Sequence, residues 1–148
     1  NMTSENHERY WAGGFLYNPI TNQVFLHQRD ANTKFNPNAW AFFGGLNEPG
    51  EAPIDTFIRE MEEETGLSVT KEEVTHLYDY MNIELNTYRY VFFVSTDVSK
   101  DKLQLGEGAG FDWVSMQELD NYNLTEKTLK DLNYFNEFLK ATKSNDRI

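Results

Sequence analysis

Short blocks of apolar and aromatic residues, set apart by turn-forming residues, run along this chain. Residues 11–17 make one block around Gly13-Gly14, and Asn18-Pro19 closes it with a turn. Residues 23–29 (QVFLHQR) read as a returning strand, so the two predict a hairpin. The polar, turn-rich stretch 30–38 reads as surface loop, and residues 40–43 as a short aromatic strand running into Gly44-Gly45. Over residues 53–65 the period changes. Ile54, Phe57, Ile58, Met61 and Thr65 recur at helical spacing, which predicts an amphipathic helix with that stripe on the core. Pro53 suits its first turn, and Gly66 suits a C-terminal cap. A strand within 73–84 and a stronger one over 88–96 follow, then a turn at 99–102 and a short strand at 110–114. Ser115 is placed to cap a brief helix at 116–119. Residues 125–143 close the pattern as an amphipathic helix with Leu129, Leu132, Phe135 and Leu139 on its inner face. Strands before, between and after helices predict an α/β fold, a mixed sheet flanked by helices on both sides.

Composition narrows the function classes. At 148 residues, with no internal repeat or low-complexity linker, residues 1–148 are expected to form one domain able to bury a core unaided. The absence of cysteine excludes disulfides, thiolate catalysis and zinc–sulfur sites. A net charge of −11 disfavours nucleic acid polymers and anionic membranes as partners. An anionic small substrate would need metal ions and a few placed cations to reverse the local field. No apolar run reaches the length of a membrane span and the polar N-terminus is no signal peptide, so a cytoplasmic protein is expected. A homodimer is compatible with the sequence.

Candidate chemistry concentrates between Gly45 and Leu67. Glu60, Glu63 and Glu64 fall at i, i+3 and i+4, which on a helix stacks three carboxylates along one face. Like charges so close repel unless a cation sits among them. Hard oxygen ligands completed by water and phosphate describe a magnesium site. Glutamate-rich helices are more often simply solvated faces, and Glu62, Glu72, Glu73, Asp101 and Glu118 are read that way. His7, His27 and His76 show no ligand spacing and are read as structural or surface residues.

The segment resembles the Nudix box, G-x5-E-x7-R-E-U-x-E-E-x-G-U, where U is a bulky aliphatic residue. Gly45, Glu51, Arg59, Glu60, Glu63, Glu64 and Gly66 match the fixed positions, and Met61 and Leu67 the U positions, without a gap. Gly106-Glu107-Gly108 ahead of Phe111-Asp112-Trp113 further resembles the loop before the last strand of MutT-like members. The resemblance implies an α/β/α sandwich. It also implies magnesium- or manganese-dependent hydrolysis of a nucleoside diphosphate linked to another group.

By position, the resemblance makes Glu60, Glu63, Glu64, the Gly44 carbonyl and Glu107 metal ligands. Glu51 and Arg59 would orient the helix and its glutamates through an ion pair. Glu64 and Glu107 are the two candidates to take the proton of the attacking water, with Glu63 and Arg59 beside them in the catalytic set. Arg29, at the end of the second strand, and Lys34 are candidate phosphate contacts. Most strand aromatics, among them Trp40, Phe42, Tyr78, Tyr80, Tyr88 and Tyr90, are read as core. Phe43, which takes the place of a proline common in the family, is kept as a candidate substrate contact. A nucleoside triphosphate, oxidised or not, is the first substrate expected. ADP-ribose, a dinucleoside polyphosphate or a nucleotide sugar are the alternatives, and a nucleotide sensor without turnover ranks below them because the box is intact.

Overall fold

A computed structural model describes residues 8–106 and 108–146, the side chains of Asn145 and Asp146 excepted. β1 (Tyr10–Asn18) is the axis of a seven-stranded mixed sheet. β6 (Thr87–Ser95) runs parallel along one edge of β1, from Tyr10 opposite Tyr88 to Tyr17 opposite Ser95. Two strands divide the other edge. β4 (Phe43–Leu46) lies antiparallel to Trp11 through Gly14, and β2 (Gln23–Gln28) lies antiparallel to Leu16 through Asn18. The sheet therefore forks beside β1. β3 (Trp40–Ala41) and β7 (Gly110–Ser115) extend it from β2, and β5 (Val74–Asn82) pairs antiparallel with β6.

Both faces of the sheet are covered, so strands that alternate facing by residue still read as continuous apolar runs. Tyr10, Ala12 and Leu16 of β1, with Tyr90, Phe92 and Val94 of β6, face α1 (Pro53–Thr65) and pack on Phe57 and Met61. Phe15, Tyr17, Val91 and Phe93 face the opposite way, onto Leu132 and Phe135 of α2 (Glu126–Asp146). This is the expected sandwich. The hairpin, the box helix, the strong strand β6 and the closing helix stand where periodicity puts them. Helix α1 begins on Pro53 and ends at Gly66 in the left-handed conformation (φ 77°). A 3-10 turn, Lys71–Glu73, precedes β5, and Ser115 caps another, Met116–Asn121, by accepting from the Gln117 N–H at 3.2 Å.

Two expectations need correction. Residues 40–43 were expected as one strand entering a glycine loop; the strand breaks at Phe42, and Gly44-Gly45 lie inside β4. Gly13 and Gly44 are cross-strand partners beneath the Trp11 indole, so these glycines allow close packing rather than a turn. On α2, Leu129 is 39% exposed instead of inward-facing. Thr128, Asp131, Leu132 and Phe135 form the buried stripe, and Leu129 lies one position off it. Among the described residues no helix is long and apolar enough to cross a membrane.

Candidate active site

The loop between β4 and α1 is tied to the helix by one ion pair. Glu51 accepts from Arg59 through both oxygens, Nε to Oε2 at 2.7 Å and Nη2 to Oε1 at 3.1 Å. Two charged groups in this forked geometry make a strong, directional contact. Glu51 also accepts from the Thr56 hydroxyl and the Glu48 N–H, each at 2.8 Å, while the Tyr10 hydroxyl donates to its carbonyl at 2.7 Å. Hydrogen bonding to the Arg59 guanidinium, reinforced by the Glu48 N–H and the Thr56 hydroxyl, outweighs burial and lowers the Glu51 carboxyl to about 2. The same pair holds the Arg59 pKa above its usual value.

Arg59 then reaches along the helix. Its Nη1 donates to Glu60 at 3.0 Å and to Glu63 at 3.2 Å, and Nη2 donates to the Leu46 carbonyl at 3.3 Å. A cation thus stands between two of the three stacked carboxylates, as their mutual repulsion requires. The Glu60 side chain is 16% exposed and lies so close to Gly45 that a Cβ there would sit 2.5 Å from its Oε2. A larger residue at Gly45 would push the Glu60 carboxylate from this position. Glu63 is open, 56% exposed. Glu64 points to the strand, its Oε2 accepting from the Gly44 N–H at 3.0 Å. With Arg59 drawing Glu60 and Glu63 to itself, no three metal-ligating side chains converge among the described residues. The donor set still fits a hard divalent ion: three carboxylates on one helix face, two of them held by the Arg59 cation and the third, Glu64, turned to the Gly44 N–H.

Two cavities meet at Glu64. The smaller, about 200 Å³, is lined by His27, Arg29, Asp30, Thr33, Glu64 and Gly108. The larger, about 930 Å³, shares His27, Arg29 and Glu64 and extends past Gly44 to Trp11, Asn82 and Arg89. Arg29 is held by its Nε–H on the Phe35 carbonyl at 3.0 Å, which leaves its terminal nitrogens for other partners. Lys34 lies outside both linings, its ammonium 5.6 Å from the centre of the Phe35 ring. The Phe43 side chain, expected to touch substrate, is 1% exposed and stacks on Phe25 in the core, so that role is withdrawn. Glu107 lies outside the described residues.

Four lining residues went unmarked in the sequence. The His27 Nε2 lies 2.9 Å from the Phe42 carbonyl, and burial holds the imidazole pKa down. It therefore donates there as the neutral ring, and its Nδ1 is buried without a hydrogen-bond partner among the described residues. Trp11 carries the Arg89 guanidinium 4.0 Å from its ring centre. Arg89 in turn donates Nε and Nη2 to Asp131 at 3.0 and 2.9 Å. Asn82 is buried at the end of β5. Strand aromatics and a pre-turn asparagine look the same whether or not a cavity opens above them, so only the register of the sheet reveals these four.

Fold and site together define a Nudix-type pyrophosphohydrolase. A family model described as the NUDIX domain matches residues 8–137, and the chain belongs to that family. A curated relative, the nucleoside triphosphatase NudI of Escherichia fergusonii, is 29% identical over 106 residues, 65% of this chain and 75% of that protein. The fold matches a MutT structure from work on Aliivibrio salmonicida and Vibrio cholerae, with TM-score 0.68, 23% identity, and 84% and 95% of the two chains covered. It also matches the ORF135 protein of E. coli, with TM-score 0.69, 20% identity, and 95% and 97% covered.

Proposed function

We propose that this enzyme hydrolyses a nucleoside triphosphate to the monophosphate and pyrophosphate, using magnesium or manganese. The observation that carries this reading is the position of Glu64. It lines both cavities while the Gly44 N–H fixes one of its oxygens, so a carboxylate stands where a phosphate chain entering past Arg29 would end. The name of the NudI relative supports a triphosphate as substrate.

Glu60, Glu63 and Glu64, with the Gly44 carbonyl, would hold the divalent ion, which when bound neutralises phosphate oxygens and makes water more acidic. Glu64 accepts the proton as the water oxygen bonds to phosphorus and the bridging oxygen leaves with pyrophosphate. Glu107, to which the family resemblance also points, is the second candidate for that proton. Arg29 contacts the phosphate chain through its terminal nitrogens. The Glu51–Arg59 pair keeps the carboxylate face of α1 turned to the cleft.

Glu64→Gln is expected to lower kcat on the preferred nucleotide by about 10²–10⁴, with an unchanged melting temperature. Turnover at the wild-type rate would remove Glu64 from the chemistry. The preferred nucleotide comes from a panel of ribo- and deoxynucleoside triphosphates, oxidised forms, ADP-ribose, a dinucleoside tetraphosphate and a nucleotide sugar, assayed with magnesium and the products identified. No magnesium-dependent release of a nucleoside monophosphate from any of them would overturn the reading.

A further inference from the structure

The larger cavity runs away from Glu64 across the α2 face of the sheet, and its volume suits a whole nucleotide. If the phosphates lie at the Glu64 end, the base lies at the other, against Trp11, Asn82, Thr87 and Arg89. Most polar side chains there already have partners. Arg89 is committed to Asp131, Lys127 to Glu84 at 2.9 Å, and Thr125 to Thr128 at 2.8 Å. Asn82 differs. It is 6% exposed, and its Oδ1 is buried with no hydrogen-bond partner among the described residues. Folded proteins rarely leave such a group unsatisfied, and each exception calls for a reason.

The position of Asn82 supplies one. It is the last residue of β5, opposite Thr87 across the hairpin, so its backbone is set by the sheet. Two residues back on the same face is Tyr80, opposite Arg89, and Arg89 lies opposite Trp11 on β1. Trp11, Arg89 and Tyr80 therefore form one row across three strands, and Asn82, two positions further along β5 on the same face, stands diagonal to Arg89, so a carboxamide borders an aromatic and cationic surface. A carboxamide presents an acceptor and a donor side by side, and a half-turn about Cβ–Cγ exchanges them. That arrangement complements a base edge on which an N–H lies beside an acceptor, as on adenine and cytosine.

We propose that Asn82 reads the nucleobase, pairing its carboxamide with an N–H and the adjacent acceptor on the base edge; this assignment rests on the nucleotide reading above. The test is a cycle between residue and base. Wild type, Asn82→Leu and Asn82→Asp are assayed on ATP, GTP, CTP and UTP, and on the ATP analogue that lacks the 6-amino group. In the wild type, the bases differ in kcat/KM, mostly through KM. Asn82→Leu compresses that spread by about ten- to hundredfold and abolishes the penalty for deleting the amino group. Asn82→Asp, which keeps acceptors and loses the donor, reorders the bases.

Calorimetry with the four nucleoside monophosphates reads the same preference without turnover, and thermal melts confirm that each variant is folded. Should Asn82→Leu fail to fold, Asn82→Ser takes its place. A folded variant that keeps the wild-type ranking and spread, or a wild type that shows no base preference in binding, would overturn the proposal. Absence of any hydrolysis by the wild type would instead strike the reading of function, and the binding data would still decide Asn82.

Discussion

Glu51 and Arg59 are eight positions apart in sequence, yet they act as one clamp between a loop and a helix. The clamp is pH-dependent in a definite direction. The Glu51 carboxyl is lowered from 4.5 to about 2, chiefly by the Arg59 guanidinium, so its contribution to stability is complete above 4.5. It is lost as pH falls from 4.5 towards 2, where folded and unfolded forms are both protonated. Glu51→Gln should therefore be less stable than wild type at pH 7, with the gap closing across that acid window. Urea unfolding midpoints measured from pH 7 down to 2 would show this, and a constant gap would contradict the assignment. Glu60 and Glu63 depend on the same guanidinium, so loosening Glu51 also frees the carboxylates that Arg59 gathers.

Helix α2 shows how one residue of helical phase separates structure from surface. Phe135 is buried and packs edge-on to Phe15, Tyr17 and Phe93, whereas Leu129 faces outward. Phe135→Ala should cost about 3–5 kcal/mol in a denaturant titration, and Leu129→Ala less than about 0.5 kcal/mol. A large loss at Leu129 would mean that the helix sits in another rotation. Helix α1 was readable to the residue because its signals agree: apolar stripe, proline at the start, glycine past the end and fixed offsets between charges. Strand β4 was not. Its glycines carry the local signature of a turn and are strand residues through their pairing with Gly13 and Ala12 of β1, with Trp11 lying over Gly44 and Glu60 over Gly45. The expected inner leucine of α2 failed for a related reason. The sheet beneath that turn presents tyrosine hydroxyls and a guanidinium, so a carboxylate packs there instead.

Asp131 links three elements of the whole molecule. It is fully buried and accepts from the hydroxyls of Tyr78 at 2.6 Å and Tyr80 at 2.8 Å on β5, besides Arg89 on β6. Burial and the neighbouring carboxylate both raise the pKa values of these two tyrosines, so they remain protonated donors. Asp131→Asn would leave the Arg89 charge buried without its counter-ion, at a cost of about 3–5 kcal/mol. Denaturant titration checks that magnitude, and a near-neutral result would show that water replaces the carboxylate. This network braces the end of the larger cavity opposite Glu64, and the sequence does not disclose it, because its members lie on three separate elements. The box can be read from one stretch of chain; the wall facing it exists only once the sheet is assembled.

The parallel pairing of β1 with β6 also sets an order of events during synthesis. Tyr10 meets Tyr88 only after β2, β3, β4, α1 and β5 have all been made, because a parallel neighbour can be reached only by a long crossover. Phe57 of α1 rests on Phe92 of β6, so the helix that carries the glutamates has no finished floor until that strand arrives. A nascent chain halted before Thr87 would hold every residue of the box and still have no cleft in which to use it.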